Sequence, residues 1–149
     1  PTELTDETGE FLRERGGEFG TTTGRPRRCG WLDLVALKYA VRVNGLTSIC
    51  FTKLDVLDGL DSIKVCTHYT VDGQRYDEFP LDLDAFSRSV PHYETLPGWK
   101  DDISQIVSHD ELPQTAKDYV KFVSEFVGVQ IKLISVGTRR RQTIHLLTL

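Results

Sequence analysis

The sequence predicts a mixed α/β fold with a mostly parallel central sheet, flanking helices and an antiparallel hairpin excursion. Residues 32–52 and 113–137 each have the pattern of a helix followed by an apolar strand, the connection that parallel strands require. Between these stretches, Asp72 and Gly73 form a dipeptide that strongly favours a hairpin turn. The chain has 149 residues, of which 39% are hydrophobic and 27% charged, so we expect one globular domain.

The N-terminal segment is predicted to form a short helix over residues 5–15. Its acidic residues come early and its arginines late, which suits the helix dipole, and Gly16 and Gly17 provide a stop. A loop rich in glycine and threonine follows and ends in arginines. This loop is the first candidate binding segment.

The second predicted helix covers residues 32–44 and ends at Gly45. Its apolar residues recur at helical spacing, and they are Leu34, Leu37, Ala40 and Val41. A strand over residues 46–52 comes next, and its unbroken apolar run from Ile49 to Phe51 predicts burial on both faces. The strand then gives way to a short segment that contains Lys53 and Asp55.

The middle of the chain is predicted to contain an antiparallel hairpin. Residues 63–71 and 74–79 flank the turn at Asp72 and Gly73. Three prolines then divide the chain into short pieces, at Pro80, Pro91 and Pro97. We expect these pieces to form a half-exposed excursion from the main sheet.

The last part of the chain repeats the order of helix and strand. Pro113 suits the first turn of a helix, Gly128 suits its end, and the apolar stripe between them comprises Ala116, Tyr119, Val120, Val123 and Val127. A strand follows and ends at residues 135–137, and a final strand is predicted over residues 143–147. The arginines at positions 139–141 are expected to form a solvated turn between these strands.

Charge and hydropathy exclude several classes of protein. The formal net charge of −4 has the wrong sign for a nucleic-acid-binding surface. The longest aliphatic run, from Leu34 to Leu37, is far shorter than the ~20 residues of a membrane span. No basic segment followed by an apolar stretch opens the chain, so a secretory signal is not expected. We therefore predict a cytoplasmic protein with neither nucleic acid nor membrane as a partner.

The cysteines and histidines predict no metal site. Cys29, Cys50 and Cys66 are odd in number and lack the spacing of a zinc ligand pair, which favours reduced thiols. The four histidines are scattered, and no two of them are spaced four residues apart. We interpret all four as surface or structural residues.

Asp55 and Lys53 together suit the recognition of guanine. An ionised carboxylate only accepts hydrogen bonds, and guanine presents two adjacent donors, N1–H and the exocyclic amine. Adenine has an acceptor at N1 and no neighbouring amine, so it is rejected by such a carboxylate. The aliphatic part of Lys53 can lie along a purine face. The alternative is that Asp55 belongs to a capping turn, continued by Asp58 and Asp61 on a solvated loop.

The ends of two predicted strands indicate where such a ligand binds. Lys53 and Asp55 follow one strand, and Ser135, Val136 and Gly137 end another. In open α/β sheets, ligands bind outside the carboxyl ends of the strands. If the two strands are parallel neighbours, both segments meet at the same edge of the sheet.

The glycine- and threonine-rich loop suits the binding of an anion. Glycines let backbone N–H groups approach an anion, threonine hydroxyls add donors, and arginines bind carboxylates or phosphates with two hydrogen bonds. Pro26 favours an extended backbone, in which Arg25 and Arg27 share a face and Arg28 points away. The alternative is a flexible loop whose arginines are merely solvated.

Several of these segments resemble the adenylosuccinate synthetase family. The loop GEFGTTTGRPRRCGWLD at residues 17–33 is similar to the aspartate-binding loop of that family. The segment TKLDVLDG at residues 52–59 resembles its guanine-recognition element, which is similar to the NKxD motif of GTPases. The segments YETLPGW at 93–99, PTEL at 1–4 and ISVG at 134–137 are also similar. The resemblance extends over essentially the whole chain.

The resemblance implies a ligase of purine nucleotide biosynthesis, with a fold related to the P-loop NTPases. Such enzymes join IMP and L-aspartate into adenylosuccinate, with GTP as co-substrate and Mg²⁺ assisting, and they form homodimers. The loop that closes on aspartate would comprise Thr21, Thr22, Thr23, Gly24, Arg25, Pro26 and Arg27, with Arg25 also reaching IMP and Arg27 reaching GTP. The guanine site would comprise Lys53, Leu54, Asp55, Ser135, Val136 and Gly137.

The sequence also departs from the family pattern. Thr138, Arg139 and Arg140 stand where the family often has Pro-Asp-Arg, which affects the backbone beside the base. The phosphate loop, the general-base aspartate, the catalytic histidine and the Mg²⁺ ligands have no counterpart in these residues. We therefore expect residues 1–149 to be the C-terminal, guanine- and aspartate-binding portion of a larger single-domain synthetase, inactive alone. The alternatives are a non-catalytic guanine-nucleotide-binding module and a purely structural subunit surface.

Overall fold

The computed structural model describes residues 1–146, which divide into two compact units. One unit comprises Pro1–Val35 and Lys64–Glu94, and the other comprises Ala36–Ile63 and the described residues from Thr95 onwards. Helices and two sheets make up these units, which confirms the predicted mixed α/β class. In place of one mostly parallel sheet, each of the two sheets contains both a parallel and an antiparallel strand pair. Among residues 1–146, no helix combines the length and the apolar character that a membrane crossing requires.

The elements follow the predicted order of helices and strands with two differences. Leu32–Asp33, expected at the start of the second helix, form a short strand, and a helix at Leu83–Ser87 was not predicted. The helices are α1 (Glu7–Gly16), α2 (Leu34–Asn44), α3 (Leu83–Ser87) and α4 (Gln114–Val127). The strands are β1 (Leu32–Asp33), β2 (Ser48–Phe51), β3 (Ser62–Val71), β4 (Gln74–Tyr76), β5 (Val90–Pro97), β6 (Gln130–Ser135) and β7 (Thr143–His145). Two short 3-10 helices cover Leu54–Leu57 and His109–Glu111.

Helix α1 ends at the predicted glycine stop and begins at an N-cap that the sequence analysis did not identify. The side chain of Asp6 caps the helix by accepting a hydrogen bond from the N–H of Gly9 at 3.1 Å. Gly17 ends the helix in the left-handed conformation, with φ 59°, which a side-chain-bearing residue rarely adopts. Leu12 is buried, so this short helix is held by its caps and by one apolar contact face.

The first sheet is built around β3. It has the order β1-β3-β4, with β1 parallel to β3 and β4 antiparallel to it, and β5 also pairs with β3. Asp72 and Gly73 form the predicted turn with φ of 51° and 82°, the conformation of a tight two-residue hairpin. The hairpin prediction is therefore confirmed.

A small aromatic core packs in the first unit. Val35, Cys66 and Tyr69 are buried together, and Tyr76, Phe79 and Tyr93 pack against them. The hydroxyl of Tyr69 donates a hydrogen bond to Oδ2 of Asp33 at 2.5 Å. Because a buried phenol must find a hydrogen-bond partner, this bond ties the end of β1 to β3.

The second sheet has the order β2-β6-β7 and supports helix α4. Strands β2 and β6 are parallel, and β7 is antiparallel to β6. The buried residues of α4 are those of the predicted stripe: Ala116, Tyr119, Val120, Val123 and Val127. The helix ends at Gly128 with φ 75°, and Pro113 is its N-cap residue. Both predicted units of helix and strand are therefore present.

Three predictions about strands need correction or limitation. Strand β2 is not buried on both faces, since Cys50 is exposed and β2 lies at the edge of its three-stranded sheet. The region after Pro80 contains an eight-residue strand, β5, as well as short pieces. The final strand covers Thr143–His145, and the predicted end of that strand at Leu147 lies outside the described residues.

Candidate functional site

The carboxyl ends of β2 and β6 meet in the second unit, as the sequence predicts. Phe51 of β2 lies opposite Ile134 of β6 in the parallel register. Two residues later, the N–H of Lys53 donates a hydrogen bond to Oγ of Ser135 at 3.0 Å. This bond joins the segment that carries Asp55 to the corner formed by residues 135–137.

The backbone changes direction sharply at Lys53. This residue has φ 61°, in the left-handed region that non-glycine residues rarely adopt. The 3-10 helix Leu54–Leu57 follows directly, and its first turn closes with a hydrogen bond from the N–H of Val56 to the carbonyl of Lys53 at 3.2 Å. Leu54 is buried and anchors this turn, while Asp55 is half-buried with its Oδ1 atom inside the protein. The turn therefore presents Asp55 at the end of the sheet.

The corner after β6 is held by Gln142, a residue that the sequence analysis did not identify. Its carbonyl accepts a hydrogen bond from the N–H of Val136 at 2.9 Å, and its Oε1 accepts one from the N–H of Arg139 at 2.9 Å. Its Nε2 donates to the carbonyl of Ser104 at 2.8 Å. Three bonds thus fix the turn that contains Thr138, Arg139 and Arg140, and these three residues lie exposed.

Asp58 does not belong to a solvated loop, which corrects one alternative from the sequence. Its side chain is buried, and it accepts hydrogen bonds from Nε1 of Trp99 and from the N–H of Ile103. Asp61, in contrast, is exposed and pairs with Lys100 at 2.6 Å. The two aspartates that follow Asp55 thus differ completely in environment, and no local signal in the sequence distinguishes them.

The second candidate segment, Thr21–Arg27, forms a tight loop in the first unit. The N–H of Gly20 donates to the carbonyl of Arg25 at 2.8 Å, and the N–H of Gly24 donates to the carbonyl of Gly20 at 2.8 Å. Gly24 has φ 64°, and Oγ1 of Thr23 accepts a hydrogen bond from the N–H of Arg25 at 3.3 Å. All seven residues of the loop are exposed: Thr21, Thr22, Thr23, Gly24, Arg25, Pro26 and Arg27. The loop therefore has a defined backbone and accessible polar groups.

The arginines at the end of this loop bind carboxylates on two different segments. Arg27 pairs with Glu18 at 3.0 Å, and Arg28 pairs with Glu3 at 2.6 Å. The hydrogen bond from Arg28 is the main cause that lowers the pKa of Glu3 below its usual value. Nε of Arg13 in α1 donates to the carbonyl of Arg27 at 3.0 Å, so the base of the loop is anchored to the first helix.

The described residues offer no evident metal centre. Within residues 1–146, no group of three or more His, Cys, Asp or Glu side chains is arranged to hold a metal ion. His68 and His92 stack with their ring centroids 4.7 Å apart, and each bonds a threonine hydroxyl. These two histidines are thus engaged in packing, as expected for structural residues.

Comparison with known proteins gives one consistent family. The model of the adenylosuccinate synthetase family matches residues 1–144. The chain is 56% identical over 144 residues to the adenylosuccinate synthetase of Trichlorobacter lovleyi, which covers 97% of this chain and 34% of that protein. It is 58% identical over 146 residues to the enzyme of Pelobacter propionicus, which covers 98% of this chain and 34% of that protein.

A solved structure gives the same result at the level of the fold. The fully ligated adenylosuccinate synthetase from Plasmodium falciparum superposes with a TM-score of 0.93 and is 40% identical in sequence. The match covers 98% of this chain and 35% of that chain. The chain thus spans about a third of the length of the relatives it matches.

Proposed function

The chain belongs to the adenylosuccinate synthetase family, and from this premise we propose that it is the C-terminal portion of a larger, single-domain ligase of purine biosynthesis. In this proposal the intact enzyme joins IMP and L-aspartate into adenylosuccinate at the expense of GTP. Residues 1–149 supply the guanine-recognition segment and the aspartate loop. The intact protein is cytoplasmic and forms a homodimer.

The guanine site is proposed at the meeting point of β2 and β6, and comprises Lys53, Leu54, Asp55, Ser135, Val136 and Gly137. The observation that supports it most directly is the hydrogen bond of 3.0 Å between the N–H of Lys53 and Oγ of Ser135. It brings the segment of Asp55 to the strand ends at which ligands of α/β sheets bind. In the proposal the Asp55 side chain turns its buried Oδ1 towards the ligand, so that the carboxylate accepts hydrogen bonds from both N–H groups of guanine, and Lys53 covers a face of the base.

The aspartate site is proposed in the loop of the first unit, at Thr21, Thr22, Thr23, Gly24, Arg25, Pro26 and Arg27. Its exposed hydroxyl and guanidinium groups are donors that a dicarboxylate substrate needs. Backbone hydrogen bonds at Gly20 and Gly24 give the loop a defined turn that carries these groups. In the proposal Arg25 also contacts IMP and Arg27 contacts GTP.

The remaining catalytic groups are proposed to lie in other parts of the intact enzyme. The family's phosphate loop, its general base, its catalytic histidine and its Mg²⁺ ligands have no counterpart among the motifs of this chain. In phosphoryl transfer, Mg²⁺ neutralises the charge that develops on the transferred phosphate. The residues described here act on the base and on the amino acid instead.

Titration calorimetry with three nucleotides tests the proposed guanine site. GTP, ITP and ATP are titrated into the full-length protein that carries this segment. ITP lacks the exocyclic amine, so we expect binding at least about tenfold weaker than that of GTP, from the loss of one hydrogen bond to a charged group. ATP offers neither donor and is expected to bind more weakly still.

The same titration separates this proposal from the alternatives. Equal affinities for GTP and ITP would contradict a carboxylate that reads the base. Selective GTP binding without turnover of IMP and aspartate would favour a non-catalytic guanine-nucleotide-binding module.

A further inference from the structure

A buried carboxyl group lies directly after the proposed guanine-recognition turn. Asp58 is 2% exposed, and among residues 1–146 it is the only charged side chain that is buried. Removing a carboxylate from water is costly unless hydrogen bonds replace the lost hydration. A residue kept in such a position must therefore be held by donors, and the identity of those donors indicates what it does.

Both oxygens of Asp58 accept hydrogen bonds from a distant part of the second unit. Oδ1 accepts from Nε1 of Trp99 at 2.6 Å, and Oδ2 accepts from the N–H of Ile103 at 3.1 Å. These donors lie 41 and 45 residues further along the chain. Each oxygen has its own donor. Asp58→Asn would replace one oxygen by an amide NH2 group, which would face a donor and lose that hydrogen bond.

The 3-10 helix that carries Asp55 is thereby fixed at both ends. At its start, the N–H of Lys53 bonds to Ser135. At its end, the N–H of Asp58 donates to the carbonyl of Asp55 at 3.2 Å, while the Asp58 side chain is bound to Trp99 and Ile103. Since only two residues lie between the two aspartates, a shift of Asp58 is transmitted to Asp55.

We propose that Asp58, held by Trp99, is a positioning residue that sets guanine selectivity by fixing the orientation of Asp55. The inference rests on the proposed guanine site and adds a determinant outside it. Asp58 contacts no ligand in this scheme. Its side chain defines where the turn ends, and hence where the Asp55 carboxylate meets the two donors of the base.

Other contacts keep the local fold when the carboxylate of Asp58 is altered. The N–H of Gly59 donates to the carbonyl of Trp99 at 2.9 Å, and the N–H of Gly98 donates to the carbonyl of Asp61 at 3.0 Å. The Trp99 ring also packs on Tyr119, with centroids 6.1 Å apart. A change at Asp58 therefore loosens the turn without detaching the segment around Trp99.

The test measures kcat/KM for GTP and for ITP in the full-length protein, with Asp58→Asn and Trp99→Phe as variants. We expect the ratio of kcat/KM for GTP to kcat/KM for ITP to fall about tenfold in Asp58→Asn, as for the loss of a hydrogen bond to a buried charged group. Trp99→Phe keeps the ring and removes only the N–H, so a smaller fall in the same direction is expected. The KM values for IMP and aspartate should stay unchanged.

Two controls make the outcome decisive. Asp61→Asn removes the same charge from an exposed position three residues later and should leave the ratio at its wild-type value. Asp55→Asn reports on the guanine site itself. If it abolishes the preference for GTP while Asp58→Asn and Trp99→Phe leave the ratio intact, the positioning role is wrong and the guanine site stands. If Asp55→Asn leaves the preference intact, the guanine site fails, and the inference with it.

A purely structural role for Asp58 gives a different result. It would lower kcat with GTP and ITP by the same factor, together with the melting temperature, and leave their ratio constant. Such a result overturns the inference. Should Asp58→Asn not fold, the ratio in Trp99→Phe decides by the same criterion.

Discussion

At the scale of single residues, Lys53 adopts a backbone conformation that long side chains rarely take. Its φ of 61° lies in the left-handed region, which costs a non-glycine residue about 1–3 kcal/mol. The hydrogen bonds from its own N–H to Ser135 and from the N–H of Val56 to its carbonyl hold the residue there. Strain of this kind persists where the surrounding contacts over-determine it, which is typical of ligand-binding positions.

Cys66 is the residue for which the structure predicts a clear dependence on pH. Burial, followed by the nearby charge of Asp33, raises the pKa of the Cys66 thiol to about 11. Only the thiolate reacts with alkylating reagents, so Cys66 stays protonated and unreactive at neutral pH. We expect iodoacetamide to modify the exposed Cys50 at pH 8. Cys66 should stay intact until the pH approaches the pKa of its thiol or the chain unfolds.

Peptide mass spectrometry after timed labelling of the folded chain measures this difference. Cys50 serves as the internal control, because it lies in the same chain and its side chain is exposed. Comparable rates of labelling at Cys50 and Cys66 under native conditions would show that the aromatic core around Tyr69 is not closed.

At the scale of elements, helix α4 shows what local patterns can predict. Five apolar residues at helical spacing and a glycine stop predicted both its extent and its buried face. The hairpin at Asp72 and Gly73 was equally predictable, because its turn requires a positive φ at both positions. In both cases the information lies within a few consecutive residues.

Strands β2 and β5 show where local patterns are insufficient. The apolar run in β2 predicted burial on both faces, but whether an edge is covered depends on partners elsewhere in the chain. The prolines in β5 predicted short pieces, although proline is tolerated in a strand that needs no hydrogen bond on one side. Strand β5 pairs with β3, so proline can occur where the backbone N–H faces away from that partner.

One part of the candidate site was predictable from the sequence, and another part was not. The convergence of Lys53 with Ser135 was predictable from the order of helices and strands, because parallel neighbours bring their carboxyl ends together. The roles of Asp58 and Gln142 were not predictable. Their partners lie 41 residues away at Trp99 and 38 residues away at Ser104, and no periodic pattern connects them.

At the scale of the whole molecule, the two proposed binding segments lie in different units. The aspartate loop belongs to the unit of residues 1–35 and 64–94, and the guanine segment belongs to the other unit. Each is built from contacts inside its own unit, such as those of Gly20 with Arg25 and of Lys53 with Ser135. The local backbone of each segment is therefore set within its own unit.

The isolated chain is expected to be catalytically inactive. In the proposal, the phosphate loop and the Mg²⁺ ligands lie in other parts of the intact protein, and phosphoryl transfer requires both. We expect the purified 149-residue chain to form no adenylosuccinate from IMP, L-aspartate and GTP, as measured by chromatography of the product. The full-length protein is the positive control, and product formation by the chain alone would refute the assignment of those groups.

The most direct test of the central proposal changes the hydrogen-bonding character of Asp55. Xanthine carries a carbonyl oxygen where guanine carries the exocyclic amine, so an asparagine at this position can donate to it. We expect Asp55→Asn in the full-length protein to lower kcat/KM for GTP about a hundredfold and to raise it for XTP. A variant that still prefers GTP over XTP by the wild-type factor would contradict the assignment of Asp55 as the residue that reads the base.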